Sequence, residues 1–233
     1  EYVISPKEVG MNNLITQKKL DALSLDLLLY CSGYLTLVPW DNEPYFRLGI
    51  PNSAVRKTMS QEWFHRTFGG GIKFEQLLGK YKQVFKIITR IQPNDNAGPL
   101  KDAINDIIQL VPYAVLTCEA AFRNIIDSGL SLFTTIDREF MTLNGISDTV
   151  IRTPKRNIII EYKFHDNAKP KSASELCKEA LNQIRTKYLE SFRDDKKPVS
   201  CIGIALSRTS EPDATMPNDN RYVDVAFEFH NMK

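Results

Sequence analysis

Ile158, Ile159 and Ile160 form an uninterrupted β-branched run that constrains the fold more than any other segment of the chain. Such a run is typical of a strand buried on both faces, in the interior of a sheet. Glu161 and Lys163 follow directly and share one face of that strand, because side chains alternate with a period of two. A core strand that ends at the surface explains these charges, and so does a functional site at the end of the strand.

The elements around this strand predict a mixed α/β core. Apolar periodicity predicts helices over residues 100–110 and 114–126, strands near 132–143, 146–152 and 157–164, a helix over 172–192, and strands near 199–206 and 222–229. Helix, three strands, helix and strand in that order predict a central mixed sheet flanked by helices.

The N-terminal part is predicted to be mainly helical, with a small β-hairpin. Helical stripes cover residues 14–29 and 74–91, strand-like segments lie near 34–38 and 45–50, and Ser53 is a candidate helix cap. Residues 92–99 are rich in Pro, Asn, Asp and Gly and form the clearest linker. We therefore expect a helical extension with a β-hairpin at residues 1–95 and an α/β domain at residues 96–233.

The charge of the chain is distributed unevenly. The 233 residues carry a net charge of +2, which is too small to indicate a nucleic-acid partner by itself. Residues 150–200, however, contain 12 Lys/Arg and 7 Asp/Glu. A locally basic surface is what a polyanion partner requires, although solvated helices can have the same composition.

Cysteines, histidines and apolar segments exclude several classes of protein. No Cys or His spacing fits a zinc site, and the four cysteines are far apart in sequence: Cys31, Cys118, Cys177 and Cys201. Free thiols favour a reducing, intracellular compartment, either the cytoplasm or a host cell into which the protein is delivered. We expect no membrane-spanning segment and no secretion signal. Because the first residue is Glu1 rather than Met, we expect an excised fragment with an upstream domain.

Two carboxylates and an ammonium group are predicted to converge. Asp148 and Glu161 lie 13 positions apart, on β-forming segments separated by the turn-like sequence Thr153-Pro154-Lys155-Arg156. Antiparallel pairing of these segments brings Asp148 near Glu161 and Lys163. Such a set of groups suits a divalent cation beside a phosphodiester. Taken alone the pattern is weak, because charged residues make up 25% of the chain.

The same residues resemble the PD-(D/E)XK nuclease superfamily. The branch they resemble is the domain found C-terminal to an AAA-ATPase-like domain in many bacterial proteins. The resemblance rests on these segments: Gly145-Ile146-Ser147-Asp148-Thr149-Val150-Ile151, Thr153-Pro154, Ile158-Ile159-Ile160-Glu161-Tyr162-Lys163-Phe164, Ala180-Leu181-Asn182-Gln183-Ile184, Lys187-Tyr188, Cys201-Ile202-Gly203-Ile204, Ser32-Gly33-Tyr34-Leu35-Thr36 and Leu48-Gly49-Ile50-Pro51-Asn52. It implies a restriction-endonuclease-like αβββαβ core and a metal-dependent nuclease, acting on DNA more than on RNA.

The resemblance also implies roles for individual residues. Mg²⁺, with Mn²⁺ as a substitute, would be held by carboxylate oxygens and one backbone carbonyl, those of Asp148, Glu161, Glu119 and Tyr162. Lys163 would orient or deprotonate the attacking water, and Gln183 would help to position the substrate or that water. As a helix residue at the edge of an apolar stripe, Gln183 has an equally good structural explanation.

The chain departs from the pattern of this branch in three places, one of which is the spacing from Gln183 to Tyr188, one residue shorter than in the branch. Arg123 stands where the branch usually carries a His near Glu119, and Gly145-Ile146-Ser147-Asp148 lacks the arginine of the Gly-Arg-apolar-Asp motif. These departures keep a second hypothesis open: a weakened or inactive nuclease fold that binds protein or nucleic acid as part of a larger effector or toxin.

Six basic residues are candidates for phosphate contacts, which would make binding depend on salt: Lys155, Arg156, Lys169, Lys171, Arg185 and Lys187. Taken one at a time, each of these side chains has a simpler explanation as a solvated surface charge. As a group they extend the prediction from the catalytic trio to a nucleic-acid partner, with a protein partner or an upstream domain as a further possibility.

Overall fold

The computed structural model describes residues 7–10, 25–38, 45–68, 74–166, 172–208 and 221–232. The chain divides into two compact units, Glu1–Arg66 and Thr67–Lys233, which we call the N-terminal and the C-terminal unit. Within the described ranges, no helix is long and apolar enough to cross a membrane.

The N-terminal unit contains a small antiparallel sheet and two helices. Its elements are β1 (Lys7–Gly10), α1 (Leu25–Cys31), β2 (Thr36–Val38), β3 (Tyr45–Gly49) and α2 (Ser53–Phe68). The strand order is β1-β3-β2, so the predicted hairpin of β2 and β3 gains a third strand. Residues 11–24, which contain most of the predicted first helix, lie outside the described residues.

Helix ends in this unit follow simple capping rules. Gly33, with φ of +80°, ends α1 in the left-handed conformation that glycine adopts without steric cost. The helix α2 is capped by Asn52, whose side-chain oxygen accepts the backbone N–H of Val55 at 3.0 Å. The cap therefore lies one residue before the predicted Ser53, which is the first residue of the helix.

The C-terminal unit is built on a five-stranded mixed sheet. Its elements are α3 (Phe74–Arg90), α4 (Gly98–Ile108), α5 (Glu119–Leu130), β4 (Asp137–Thr142), β5 (Gly145–Arg152), β6 (Asn157–Asp166), α6 (Ala173–Gln183), β7 (Val199–Arg208) and β8 (Arg221–His230). The strand order is β4-β5-β6-β7-β8, and only β6 and β7 run parallel. The segment from α5 to β7 reproduces the predicted αβββαβ order, so the restriction-endonuclease-like fold class is confirmed.

Helix α3 packs within the C-terminal unit. The buried hydroxyl of Tyr81 donates a hydrogen bond to the carbonyl of Ile125 in α5 at 2.8 Å. A Cβ on Gly129 would lie 2.0 Å from the Tyr81 ring, so only glycine permits this approach. The predicted boundary between residues 95 and 96 thus falls inside the C-terminal unit, and the N-terminal unit ends about 30 residues earlier, at Arg66.

The predicted helix over residues 172–192 changes pitch along its length. Ser172 caps α6 in a capping box with Glu175, and α6 ends at Gln183. A π-helical turn, Ile184–Tyr188, and a 3₁₀ segment, Leu189–Asp195, continue it. Buried residues of this segment and of the sheet share one cluster, formed by Val150, Ile159, Leu181, Ile184, Tyr188, Phe192, Val199 and Cys201.

Candidate active site

The end of the β5–β6 ladder positions the predicted acidic pair. Val150 pairs with Ile159 and Thr149 with Ile160, and the regular ladder stops there. One position further, the same register sets Asp148 opposite Glu161. The buried aliphatic pairs thus fix the positions of the two acids, and Lys163 follows Glu161 on the same face of β6.

Beyond the pair Thr149 and Ile160, hydrogen bonds that involve side chains take the place of the backbone ladder. The backbone N–H of Tyr162 donates to Oδ2 of Asp148 at 2.9 Å. The ammonium of Lys163 donates to Oε1 of Glu161 at 3.0 Å, and neither side chain is more than one-fifth exposed. The structure therefore brings Asp148, Glu161 and Lys163 together.

Glu161 is the most deeply buried of the charged groups at the site. Its relative exposure is 2%, and its Oε2 atom has no hydrogen-bond partner among the described residues. Burial and, next, the negative charge of Asp148 raise the pKa of Glu161 to about 7, although Lys163 lowers it in part. An unpartnered buried carboxylate oxygen costs free energy unless a cation or a proton satisfies it.

Glu119, in the first turn of α5, lies beside the trio. Burial raises the pKa of Glu119, while the positive charge of Lys163 and a hydrogen bond from the backbone N–H of Phe164 oppose that rise. The charge of Asp148 also acts on it, so Glu119 belongs to the same electrostatic cluster. The structure thus places all three predicted carboxylates in one neighbourhood.

Lys163 keeps its proton at neutral pH. Burial works against its charge, but Glu161 and, to a smaller extent, Glu119 and Asp148 raise the pKa of Lys163 above its ordinary value. A permanently charged ammonium cannot accept a proton from water. Its chemistry here is that of a fixed positive charge and hydrogen-bond donor.

Arg123 is a site residue whose partners could not be predicted from the sequence. Its Nη1 donates to Oδ1 of Asp148 at 2.9 Å and its Nη2 to Oε1 of Glu139 at 3.0 Å. Both oxygens of Asp148 therefore accept hydrogen bonds from the protein. The sequence marks only the departure of this residue from the related proteins, and its partners depend on the β4–β5 geometry.

Gln183 contacts the site through Tyr188. The amide nitrogen of Gln183 donates to the Tyr188 hydroxyl. Burial raises the pKa of Tyr188, the hydrogen bond from Gln183 lowers it in part, and the charges of Glu161 and Asp148 add to the rise. A π-helical turn brings residues five apart to the same side, which is how Gln183 reaches Tyr188. The sequence singles out Tyr188 only as part of the Lys187-Tyr188 segment of the resemblance, without a role of its own.

Tyr162 connects the site to a buried polar cluster on α5. Its hydroxyl donates to Oδ1 of Asp127 at 2.8 Å, and the Thr149 hydroxyl donates to Oδ2 at 2.7 Å. Arg138 lies 3.3 Å from the same carboxylate. This network holds α5 against β5 and β6 and thereby fixes the position of Glu119 and Arg123 relative to Asp148.

The candidate metal ligands fit a hard cation by their chemistry. Asp148, Glu161 and Glu119 provide carboxylate oxygens, and Oε2 of Glu161 is a buried acceptor that lacks a donor among the described residues. Across the part of the chain that the structure describes, no group of three or more His, Cys, Asp or Glu side chains is already arranged as a metal site. In this arrangement Arg123 bonds Asp148 and Lys163 bonds Glu161.

The predicted phosphate-binding residues do not form one surface. Lys155 and Arg156 lie in the β5–β6 turn, at the opposite end of these strands from Asp148 and Lys163. Arg156 also donates to the carbonyl of Ile91 at 2.7 Å, which gives it a structural role. The structure therefore does not bring these two cations to the site, because a turn and the far ends of its strands lie on opposite edges of a sheet.

Two other predicted phosphate ligands lie on the helical segment that follows α6. Arg185 and Lys187 are exposed on the π-helical turn, where Arg185 pairs with Glu228 and Lys187 lies beside Gly145 at the start of β5. Lys169 and Lys171 lie outside the described residues.

Comparison with known protein families agrees with this geometry. Residues 118–211 match the family model of the PD-(D/E)XK nuclease superfamily. No curated protein matches the chain. The matched residues contain α5, β4, β5, β6, α6 and β7, so it is the αβββαβ segment of the chain that is similar to this superfamily. Its assignment to the AAA-ATPase-associated branch stays a prediction.

Proposed function

We propose that this protein is a Mg²⁺-dependent nuclease that hydrolyses phosphodiester bonds of nucleic acid, DNA more than RNA. The observation that carries the proposal is the meeting of Asp148, Glu161 and Lys163 at the open end of the β5–β6 ladder, with one Glu161 oxygen buried and unpartnered among the described residues. The match of residues 118–211 to a nuclease superfamily supports phosphodiester hydrolysis in general.

The residues divide the work by charge. Asp148, Glu161, Glu119 and the Tyr162 carbonyl are the groups that would hold the cation. When bound, Mg²⁺ supplies Lewis-acid polarisation of the phosphate and a more acidic water. Lys163, kept protonated by Glu161, donates hydrogen bonds and offsets the negative charge that develops on the phosphate. Gln183 holds the Tyr188 hydroxyl beside the acids, which positions a second donor at the site.

Lys187 and Arg185 are the described cations best placed to bind the nucleic-acid backbone. Both lie exposed on the turn that carries Tyr188, and Lys187 lies beside the strand that carries Asp148. Each phosphate contact of this kind makes binding weaken as salt rises. We propose that Lys169 and Lys171 also bind nucleic acid.

A binding module without catalytic activity is the second candidate. The observation that favours it is the ion pair of Arg123 with Asp148, because a guanidinium occupies an oxygen that a cation needs. In this form the domain would be a protein- or nucleic-acid-docking part of a larger effector or toxin, acting in a reducing intracellular compartment together with an upstream domain.

A cleavage assay separates the two candidates. Labelled double-stranded DNA, single-stranded DNA and RNA are incubated with the protein in Mg²⁺, in Mn²⁺ and with a chelator. If the protein is a nuclease, at least one substrate is cleaved, the chelator abolishes this cleavage, and the folded Asp148→Asn protein does not cleave. Binding that survives Asp148→Asn, with no cleavage by the parent protein in either metal, identifies the docking module instead.

A further inference from the structure

The guanidinium of Arg123 forms ion pairs with two carboxylates. One end of its guanidinium bonds Asp148 at 2.9 Å and the other bonds Glu139 at 3.0 Å. The Arg123 side chain is 17% exposed and that of Glu139 is 65% exposed. The Nε atom of Arg123 is buried and has no hydrogen-bond partner within the described residues, so the guanidinium retains an unused donor.

Glu139, the second partner of Arg123, has a strained backbone. Its φ is +48°, in the left-handed region that side chains other than Gly, Asn and Asp rarely adopt. The β4–β5 ladder pairs Arg138 with Thr149 and Phe140 with Ser147, but leaves out the intervening position, where Glu139 would face Asp148. Strain at a single residue that interrupts a ladder beside a catalytic carboxylate points to a functional role.

The position of Arg123 conflicts with a cation on Asp148. A divalent ion bound to Asp148 would lie close to the guanidinium, and the two positive charges repel each other strongly in a partly buried site. Glu139 offers the guanidinium a second partner, one that is exposed and lies outside the proposed cation ligands.

We propose that Arg123 competes with the divalent cation for Asp148, and that Glu139 binds the guanidinium when the cation takes its place on Asp148. We call this exchange of partners the latch. This inference rests on the proposed function, because it concerns the same site. Once displaced onto Glu139, the guanidinium stays next to the site with free N–H donors, and these suit the oxygens of a phosphodiester. Arg123 thus sets the affinity of the site for its cation.

The chain offers a matched control in Arg152. It also bonds two carboxylates, Asp137 at 3.2 Å and Asp195 at 3.0 Å. It lies in the same strand as Asp148, four residues along, which is roughly 14 Å. That separation exceeds the Debye length of about 8 Å at physiological salt, so removal of the Arg152 charge leaves cation binding at Asp148 nearly unchanged.

Calcium binding tests the latch without relying on cleavage. Ca²⁺ prefers oxygen ligands, and titration calorimetry on the full chain without nucleic acid gives its affinity directly. We expect Arg123→Gln to bind Ca²⁺ about tenfold or more tightly than the parent protein, because one repelling charge is removed. Arg152→Gln is expected to match the parent within about twofold. Arg123→Lys keeps the charge and is expected to remain close to the parent.

Glu139 gives a second, opposite signature. Glu139→Gln removes the alternative partner of Arg123, so the guanidinium stays on Asp148 and Ca²⁺ binds more weakly. In the double variant with Arg123→Gln this effect shrinks, because Glu139 acts through Arg123. Equal effects of Glu139→Gln in both backgrounds would contradict the latch.

The outcomes separate the latch from the proposed function. If Arg123→Gln, folded by circular dichroism, binds Ca²⁺ no more tightly than Arg152→Gln does, the latch is wrong while the cation site stands. If neither the parent nor any variant binds Ca²⁺ or Mn²⁺, the cation site itself is wrong, and the proposed nuclease activity falls together with the latch.

Discussion

The backbone N–H of Tyr162 donates a hydrogen bond to Oδ2 of Asp148 at 2.9 Å, where a regular ladder would use a backbone carbonyl as the acceptor. The two strands therefore separate at the site, and the Asp148 side chain satisfies the group that this leaves unpaired. Asp148 therefore has a structural task beside the catalytic role that we propose for it.

Asp148→Asn separates these tasks. The amide oxygen of asparagine can still accept the Tyr162 N–H, but the charge that pairs with Arg123 is lost. We expect cleavage to fall by about a hundredfold or more and the free energy of unfolding to change by about 1 kcal/mol. Asp148→Ala, which removes the acceptor too, is expected to be less stable than Asp148→Asn in urea unfolding. Equal stability of the two variants would contradict the structural task.

Glu161 makes the fold less stable as pH rises. Burial and the Asp148 charge raise its pKa from 4.5 to about 7, so the folded protein binds the proton more tightly than the unfolded chain does. Stability from this group is fully present below pH 4.5 and is lost as pH rises to about 7. Glu161→Gln is expected to be more stable than the parent above pH 7, by about 1–3 kcal/mol. Urea unfolding at both pH extremes checks this, and a parent that is the more stable protein above pH 7 would contradict it.

The buried cluster around Asp127 holds α5 on the sheet. Tyr162→Phe removes one of the two hydroxyl donors to this fully buried carboxylate. We expect a loss of about 1–3 kcal/mol in the free energy of unfolding, since a buried charge is left short of a donor. Tyr222→Phe is the control, because Tyr222 is 61% exposed. Similar thermal stability of the two variants would show that the cluster contributes little.

Two helical glycines are expected to respond in opposite ways to alanine. Gly129 in α5 lies against Tyr81, and an added Cβ would lie 2.0 Å from its ring, so Gly129→Ala should cost about 2 kcal/mol or more. At Gly79 in α3 an added Cβ has nothing within 4 Å, so Gly79→Ala should be neutral or stabilising by up to about 1 kcal/mol. Thermal unfolding of the two variants measures the difference. A stable Gly129→Ala protein would contradict the packing of α3 on α5.

The sequence was sufficient to predict the fold class, because apolar periodicity and the run that begins at Ile158 indicate the type and order of the elements directly. It also brought Asp148, Glu161 and Lys163 together, since the hairpin register follows from alternation. The contact between Arg123 and Glu139 could not be predicted from the sequence. It depends on the left-handed backbone conformation of Glu139 in β4, and glutamate as a residue type does not favour that conformation. The contact between Gln183 and Tyr188 could not be predicted either, because it depends on a local change to π-helical pitch.

The structure places Lys155 and Arg156 away from Asp148 and Lys163, and their contact with phosphate stays a prediction. Both were chosen by charge and by nearness in sequence to Asp148 and Glu161. A hairpin turn lies at one edge of the sheet, however, and the acids and lysine of the candidate site lie towards the other. Residues that are close to Asp148 and Glu161 in sequence can therefore lie most of a strand length away from them in space.

Single-turnover cleavage by matched lysine variants tests the central claim most directly. Lys163→Gln removes the ammonium that contacts Glu161, whereas Lys155→Gln removes an exposed ammonium at the far end of the same hairpin. In Mg²⁺, with a substrate that the parent protein cleaves, we expect Lys163→Gln to be slower by about a hundredfold or more and Lys155→Gln to match the parent. Equal rates for the two folded variants would contradict an active site built on Asp148, Glu161 and Lys163.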